Sequence, residues 1–181
     1  MVEMLVAITI FLMLIGIISQ IFISALRQQR KSLVSQQLLD QTSYVMEYMS
    51  RALRMAKKEI SDGCLLQGGL NYEATRFDSD TQTYSGIKFI NHLQGDDCQE
   101  FFLENGQLKY WKKSAGETLP LTSSKFEITS LKFFLTGALQ SDKLQPRATI
   151  FLSIKERGAS KDFPEIKIQT TVSQRTLDVE Y

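Results

Sequence analysis

Histidine, cysteine, proline and tryptophan are scarce in this chain of 181 residues: one His, two Cys, three Pro and one Trp. The scarcity bounds the chemistry. A zinc site needs about four ligands of the His and Cys type at close spacing, and His92, Cys64 and Cys98 do not supply them. A Ser/His/Asp triad would have to use His92, which sits in the turn-like run Asn91-His-Leu-Gln-Gly95 and reads as a surface-loop residue. No enzyme activity, cofactor or metal site is expected. Net charge is nearly absent too. Lys and Arg total 21 against 20 Asp and Glu, a formal +1, which gives no electrostatic reason to expect nucleic acid as a partner.

A more local absence says more. Between Glu3 and Arg27 there is no charged side chain, an apolar run of about 23 residues. At the helical rise this spans roughly 35 Å, enough to cross a hydrocarbon core of about 30 Å. Thr9, Gly16, Ser19, Gln20 and Ser24 are its polar or small members, and a transmembrane helix tolerates them. A cleavable secretory signal has a shorter apolar core and a small-residue cleavage site, which Ile23-Ser-Ala25 resembles only poorly. Residues 1–26 therefore read as the anchoring half of a helix.

Helix breakers are missing next. From Arg27 to Ile60 there is neither Gly nor Pro, and Gln, Leu, Met, Ala, Arg and Lys favour helix. Leu39, Met46, Leu53 and Ile60 recur every seven residues, flanked by Leu38, Val45, Met49, Ala52 and Ala56. Residues 27–60 thus continue the helix as an amphipathic half ending near Asp62-Gly63, where Gly suits the left-handed C-terminal position. The apolar stripe is wide and spans only three to four heptads. It suits packing on a sheet of the same chain better than a coiled coil.

Residues 61–181 change period and predict a globular β domain. Ser61–Ser85 reads as a long irregular loop, and Gly86–Asn91 as a strand. Asp96-Asp97 marks a turn into the strand Cys98–Leu103. Glu104-Asn-Gly-Gln107 signals a hairpin, because Asn-Gly tolerates the positive φ of a type I′ turn. Gln107–Lys112, Phe126–Thr136, Arg147–Lys155 and Glu165–Ser173 are the further strands. Ile150, Leu152 and Ile154 alternate with other residues, as do Ile166, Ile168, Thr170 and Val172, the pattern of a sheet with one buried face. The expected fold is α+β, an antiparallel sheet laid on the amphipathic half of one long helix.

Few residues invite a functional role. Glu3 opens the apolar run, and a carboxylate in hydrocarbon costs about 2–3 kcal/mol on insertion scales; it either marks the polar edge of the span or has a partner there. Cys64 and Cys98 either form a disulfide or remain thiols; spacing alone does not decide. Asp78-Ser-Asp80 and Asp96-Asp97 carry oxygen ligands but no calcium-loop motif, and read as solvated acidic turns. Phe101, Phe102, Tyr110 and Trp111 read as core and sheet packing. Arg27, Arg30 and Lys31 after the span would, by the positive-inside rule, hold the sheet domain in the cytoplasm. A disulfide would point the other way, to an oxidising compartment.

Met1-Val-Glu-Met-Leu-Val-Ala-Ile-Thr-Ile-Phe11 resembles the interior of the type IV prepilin signature: a basic leader, Gly-Phe, Thr-Leu, a hydrophobic residue, Glu and a long apolar helix. Met1 stands where that family usually has Leu, which can share a codon with a bacterial start. The expectation is that translation begins upstream, at a basic leader ending in Gly-Phe-Thr, which would also remove the topological tension. The hairpin at Asn105-Gly106, Pro120-Leu-Thr-Ser123, Gln145-Pro-Arg147 and Gln169–Arg175 are similar to minor pilins and pseudopilins. The resemblance implies a structural subunit of a type IV pilus or type II secretion filament, held beforehand as a single-pass inner-membrane precursor with its sheet domain outside the cytoplasm. It implies sister subunits, the inner-membrane assembly platform and a prepilin peptidase as partners. It gives Glu3 the role of neutralising a neighbouring subunit's N-terminal amine. The alternative, from the residues alone, is a membrane-anchored extracytoplasmic binding module that does not polymerise.

Overall fold

A computed structural model describes residues 2–60, 63–139, 144–159 and 163–175. Met1 and Asp62, named above in the signature and at the expected helix end, lie outside the described residues. One long helix, α1 (Val2–Arg54), opens the chain, and all strands pair antiparallel, an α+β arrangement. The chain divides within α1 into two compact units, residues 1–37 and 38–181. Along the helical residues of the first, backbone amides beyond the first turn bond within the helix, and every residue from Val2 to Arg30 is exposed.

In the second unit the described strands are β1 (Ala56–Lys57), β2 (Glu73–Asp78), β3 (Thr83–Asn91), β4 (Asp97–Glu104), β5 (Gln107–Lys112), β6 (Glu117–Pro120), β7 (Phe126–Thr136), β8 (Arg147–Glu156) and β9 (Glu165–Ser173). They form one nine-stranded sheet ordered β6-β5-β4-β3-β7-β8-β9, with β1 and β2 also paired to β3. β3 and β7 meet through the single pair Tyr84–Phe133. The β4–β5 turn has Asn105 and Gly106 at φ 53° and 71°, as the hairpin signal requires.

The last turns of α1 pack on the face of the sheet that carries Phe89, Phe101 and Tyr110. Those rings lie 5.6 and 5.3 Å apart in sequence across β3, β4 and β5. Tyr48 of the helix meets Phe101 and Tyr110 edge-on at 6.0 and 5.9 Å, the geometry aromatic quadrupoles favour. The buried stripe is Leu38, Thr42, Val45, Met49 and Leu53, at spacings of four, three, four and four residues. Leu39 and Ile60, expected at its centre, are 53% and 85% exposed. A shift of one position along the helix, about 100°, accounts for Leu39.

The helix also ends earlier than the absence of breakers predicts, at Arg54 and not near Asp62-Gly63. Its closing partners come from afar. The Tyr72 hydroxyl donates to the Leu53 carbonyl at 2.7 Å and the Arg175 amide to the Arg54 carbonyl at 2.8 Å. Ala56 and Lys57 leave the helix to pair with Asn91 and Ile90. Tertiary pairing thus overrides a helix-favouring local sequence.

Ser61–Ser85 is likewise not one irregular loop, since it contains β2 and the start of β3. Arg76, at φ 57°, drops out of the β2–β3 ladder between the pairs Thr75–Gly86 and Phe77–Tyr84, and the register is the same on both sides of it. Gly86 is required there: a Cβ would stand 2.3 Å from Thr75 Oγ1. β9 differs in degree. Val172 is buried, whereas Ile168 is 37% exposed, because β9 is the outermost strand of its side of the sheet.

Candidate functional site

Glu3 lies in the first turn of α1, exposed, followed at once by the apolar run. An acidic side chain there is favoured by the positive end of the helix dipole. From that carboxylate the helix presents Met4, Leu5, Phe11, Ile18 and Phe22, each more than half exposed. A contiguous exposed apolar surface of this size marks a membrane or a protein interface. The run meets the length and composition of a single membrane anchor.

Polar groups inside the run are treated unequally. The Thr9 hydroxyl donates to the Val6 carbonyl and the Ser19 hydroxyl to the Ile15 carbonyl, both at 2.8 Å. Such back-bonding hides a hydroxyl within its own helix. The Gln20 amide has no such partner among the described residues.

Cys64 and Cys98 are bonded as a disulfide, with Cα atoms 5.5 Å apart and a sequence separation of 34. Cys98 faces away from α1, beside Ile90, and Leu65, Leu70 and Trp111 pack round the sulfurs. The loop carrying Cys64 is set by Glu59. This buried carboxylate accepts the Cys64 amide at 2.8 Å and the Leu65 amide at 2.5 Å. A carboxylate facing consecutive N–H groups supplies the anion that such a turn binds. Glu59 was not singled out in the sequence; only its place five residues before a cysteine could have hinted at it.

His92 is exposed, in a single 3-10 turn (His92–Gln94), with Nδ1 3.0 Å from Asp96 Oδ1. The Lys57 ammonium also reaches Asp96, at 2.6 Å. Hydrogen bonds from Lys57 and then His92 hold the Asp96 carboxyl below the usual carboxylate range. The Asp78 carboxyl is lowered by the Thr81 hydroxyl and the Asp80 amide. The Asp78 turn closes on itself, whereas Asp96 is held by Lys57 of β1 and Asp97 accepts the Ser114 amide and hydroxyl. Among the described residues no three His, Cys, Asp or Glu side chains stand together as a metal site would require.

The four aromatic residues of the β4–β5 hairpin all pack. Phe101 and Tyr110 lie under α1, Trp111 against the disulfide, and Phe102 beneath the Arg76 guanidinium at 4.4 Å. Burial drives the Tyr110 phenol up from its ordinary range. Elsewhere, a groove of about 530 Å³ opens on the outer face of β7, β8 and β9, lined by Lys132, Phe134, Phe151, Ile168 and Lys167 among others. Phe134 and Phe151 meet edge-on at 5.5 Å.

No protein-family model matches this chain, and comparison with curated proteins and with solved structures finds no match either.

Proposed function

We propose that this protein is a structural subunit of a bacterial filament, a minor pilin or pseudopilin of a type IV pilus or type II secretion system. One observation carries the reading. A single unbroken helix begins with a carboxylate, runs on as a fully exposed apolar rod, and ends packed beneath an antiparallel sheet. A helix of this kind suits two environments in turn, lipid when stored and sister helices when assembled. The work is mechanical, with no reaction catalysed. In the stored form the chain is a single-pass protein of the cytoplasmic membrane with its sheet domain outside, where the Cys64–Cys98 disulfide survives. Glu3 answers the N-terminal amine of a neighbouring subunit, since a carboxylate in an apolar interior requires a cationic partner. Sister subunits, the assembly platform and, for a precursor with a leader, a prepilin peptidase are the partners.

The test is N-terminal mass spectrometry of native protein from sheared-filament and membrane fractions. The same chain in both, with a processed and methylated N-terminus in the filament, supports the reading. Its confinement to the membrane fraction contradicts it. That second outcome favours a membrane-anchored extracytoplasmic binding module, for which the groove beside Phe134 and Phe151 is the observation in hand.

A further inference from the structure

Thr9, Gly16, Gln20 and Ser24 are separated by seven, four and four residues. At about 100° per residue they fall within roughly 80° of one another on α1, and Arg27 continues the same line. The opposite side carries Phe11, Leu14, Ile18, Phe22 and Ala25, with no polar side chain. Val6 and Met13 share the first arc, so that face is mixed, polar and small residues among apolar ones, while the opposite face is apolar throughout. A helix that met only lipid would have no use for that division.

Gln20 distinguishes the polar face. Thr9 and the rim residue Ser19 return their hydroxyl protons to their own helix, but the Gln20 amide is left with two donors and an acceptor and no partner among the described residues. It lies seven residues before Arg27, about 10 Å inside the charged end, so within hydrocarbon. Water is absent there, and an unmet amide is costly. One turn earlier Gly16 has nothing within 4 Å of where a Cβ would stand, which lets a second backbone come close.

We propose that this face pairs with the same face of a second copy of the chain in the bilayer, two Gln20 amides exchanging hydrogen bonds across the seam. The occupant follows from the chemistry. An amide is its own complement, and copies inserted by the same route run parallel, so Gln20 meets Gln20 at equal depth. The pairing rests on the membrane-anchor part of the proposed function and not on filament assembly. It describes the stored form.

The test places the full chain in a host membrane that has no filament system of its own. The two native cysteines are bonded to each other, so one introduced thiol reports alone. Ser24→Cys, on the seam, is compared with Phe22→Cys, on the far side, under oxidation by copper phenanthroline. The pairing predicts a cross-linked species of twice the chain mass for Ser24→Cys and little for Phe22→Cys. Adding Gln20→Leu to Ser24→Cys lowers that yield about threefold to tenfold, the scale of an interhelical hydrogen bond in lipid. Equal yields at the two positions, indifference to Gln20→Leu, or an adduct of another mass overturns the pairing while leaving the anchor intact. Release of every variant by alkaline extraction would instead remove the anchor itself, and the pairing with it.

Discussion

The hydroxyl of Tyr72 donates to the main-chain carbonyl of Leu53 at 2.7 Å, both residues buried, and so closes the long helix from the sheet side. Burial raises the Tyr72 phenol above its ordinary range, so it remains a donor at every physiological pH. Tyr72→Phe keeps the ring and removes the donor, leaving a buried carbonyl at the helix end. The expected loss is about 1–2 kcal/mol, read as a lower denaturation midpoint of the full chain in detergent. An unchanged midpoint would mean that the carbonyl has another partner.

The disulfide is the second fixed point. By the chain-entropy model, closing a loop of about 35 residues stabilises by about 4 kcal/mol. The double variant Cys64→Ser, Cys98→Ser should lose stability on that scale and free the loop between Glu59 and Tyr72 first. Hydrogen exchange reads this directly: the Cys64 and Leu65 amides, held by Glu59, should exchange faster than those of β8. Equal protection at both places would show that Glu59 alone sets the loop.

Gly86 tests the close approach of β2 and β4 to β3. Its absent Cβ leaves room for Thr75 Oγ1, and Phe102 Cβ would stand only 3.3 Å from an added methyl. Gly86→Ala should cost about 1–3 kcal/mol by overpacking, with part recovered in Thr75→Ala, which removes the nearest atom. Calorimetry of the single and double variants checks this. Additive losses would place the strain elsewhere.

How far the sequence reaches is visible in these same places. Alternation announced β8 and β9, because a strand with one buried face repeats every two residues, and the Asn-Gly turn announced β5. The exposed apolar run of α1 showed itself through missing charge. The helix end did not, because its closing partners, Tyr72 and Arg175, are far along the chain while the local residues all favour helix. β2 hid in a stretch of Gly, Asn, Ser and Asp and is interrupted at Arg76, and β6 is four exposed residues with no alternation. The bridging of Cys64 to Cys98 is a tertiary fact that spacing leaves open. Gln20 was legible only as a tolerated polar residue; its isolation appears once Thr9 and Ser19 are seen bonded to their own helix.

Acid should loosen the sheet domain in a definite window. The Asp78, Asp96, Glu104 and Glu165 carboxyls are all held below their ordinary values by hydrogen bonds from Thr81, Lys57, Lys109 and Thr129 respectively. A carboxylate lowered in the folded state contributes stability that is complete above its unfolded value, near pH 4, and fades as pH falls through the folded value. Unfolding midpoints should therefore hold from neutrality to about pH 5 and decline below pH 4. Each group is exposed, so each step is small, and 0.5 M salt should flatten the decline. A decline already complete by pH 5 would contradict the assignment.

Glu3→Ala separates assembly at the helix head from anchoring in the bilayer. Membrane and sheared-filament fractions from cells carrying wild type or variant are compared by quantitative immunoblot. The variant should stay membrane-inserted at wild-type level and fall at least tenfold in the filament fraction, the scale of one unmatched charge in an apolar interior. Wild-type amounts of Glu3→Ala in sheared filaments would contradict it.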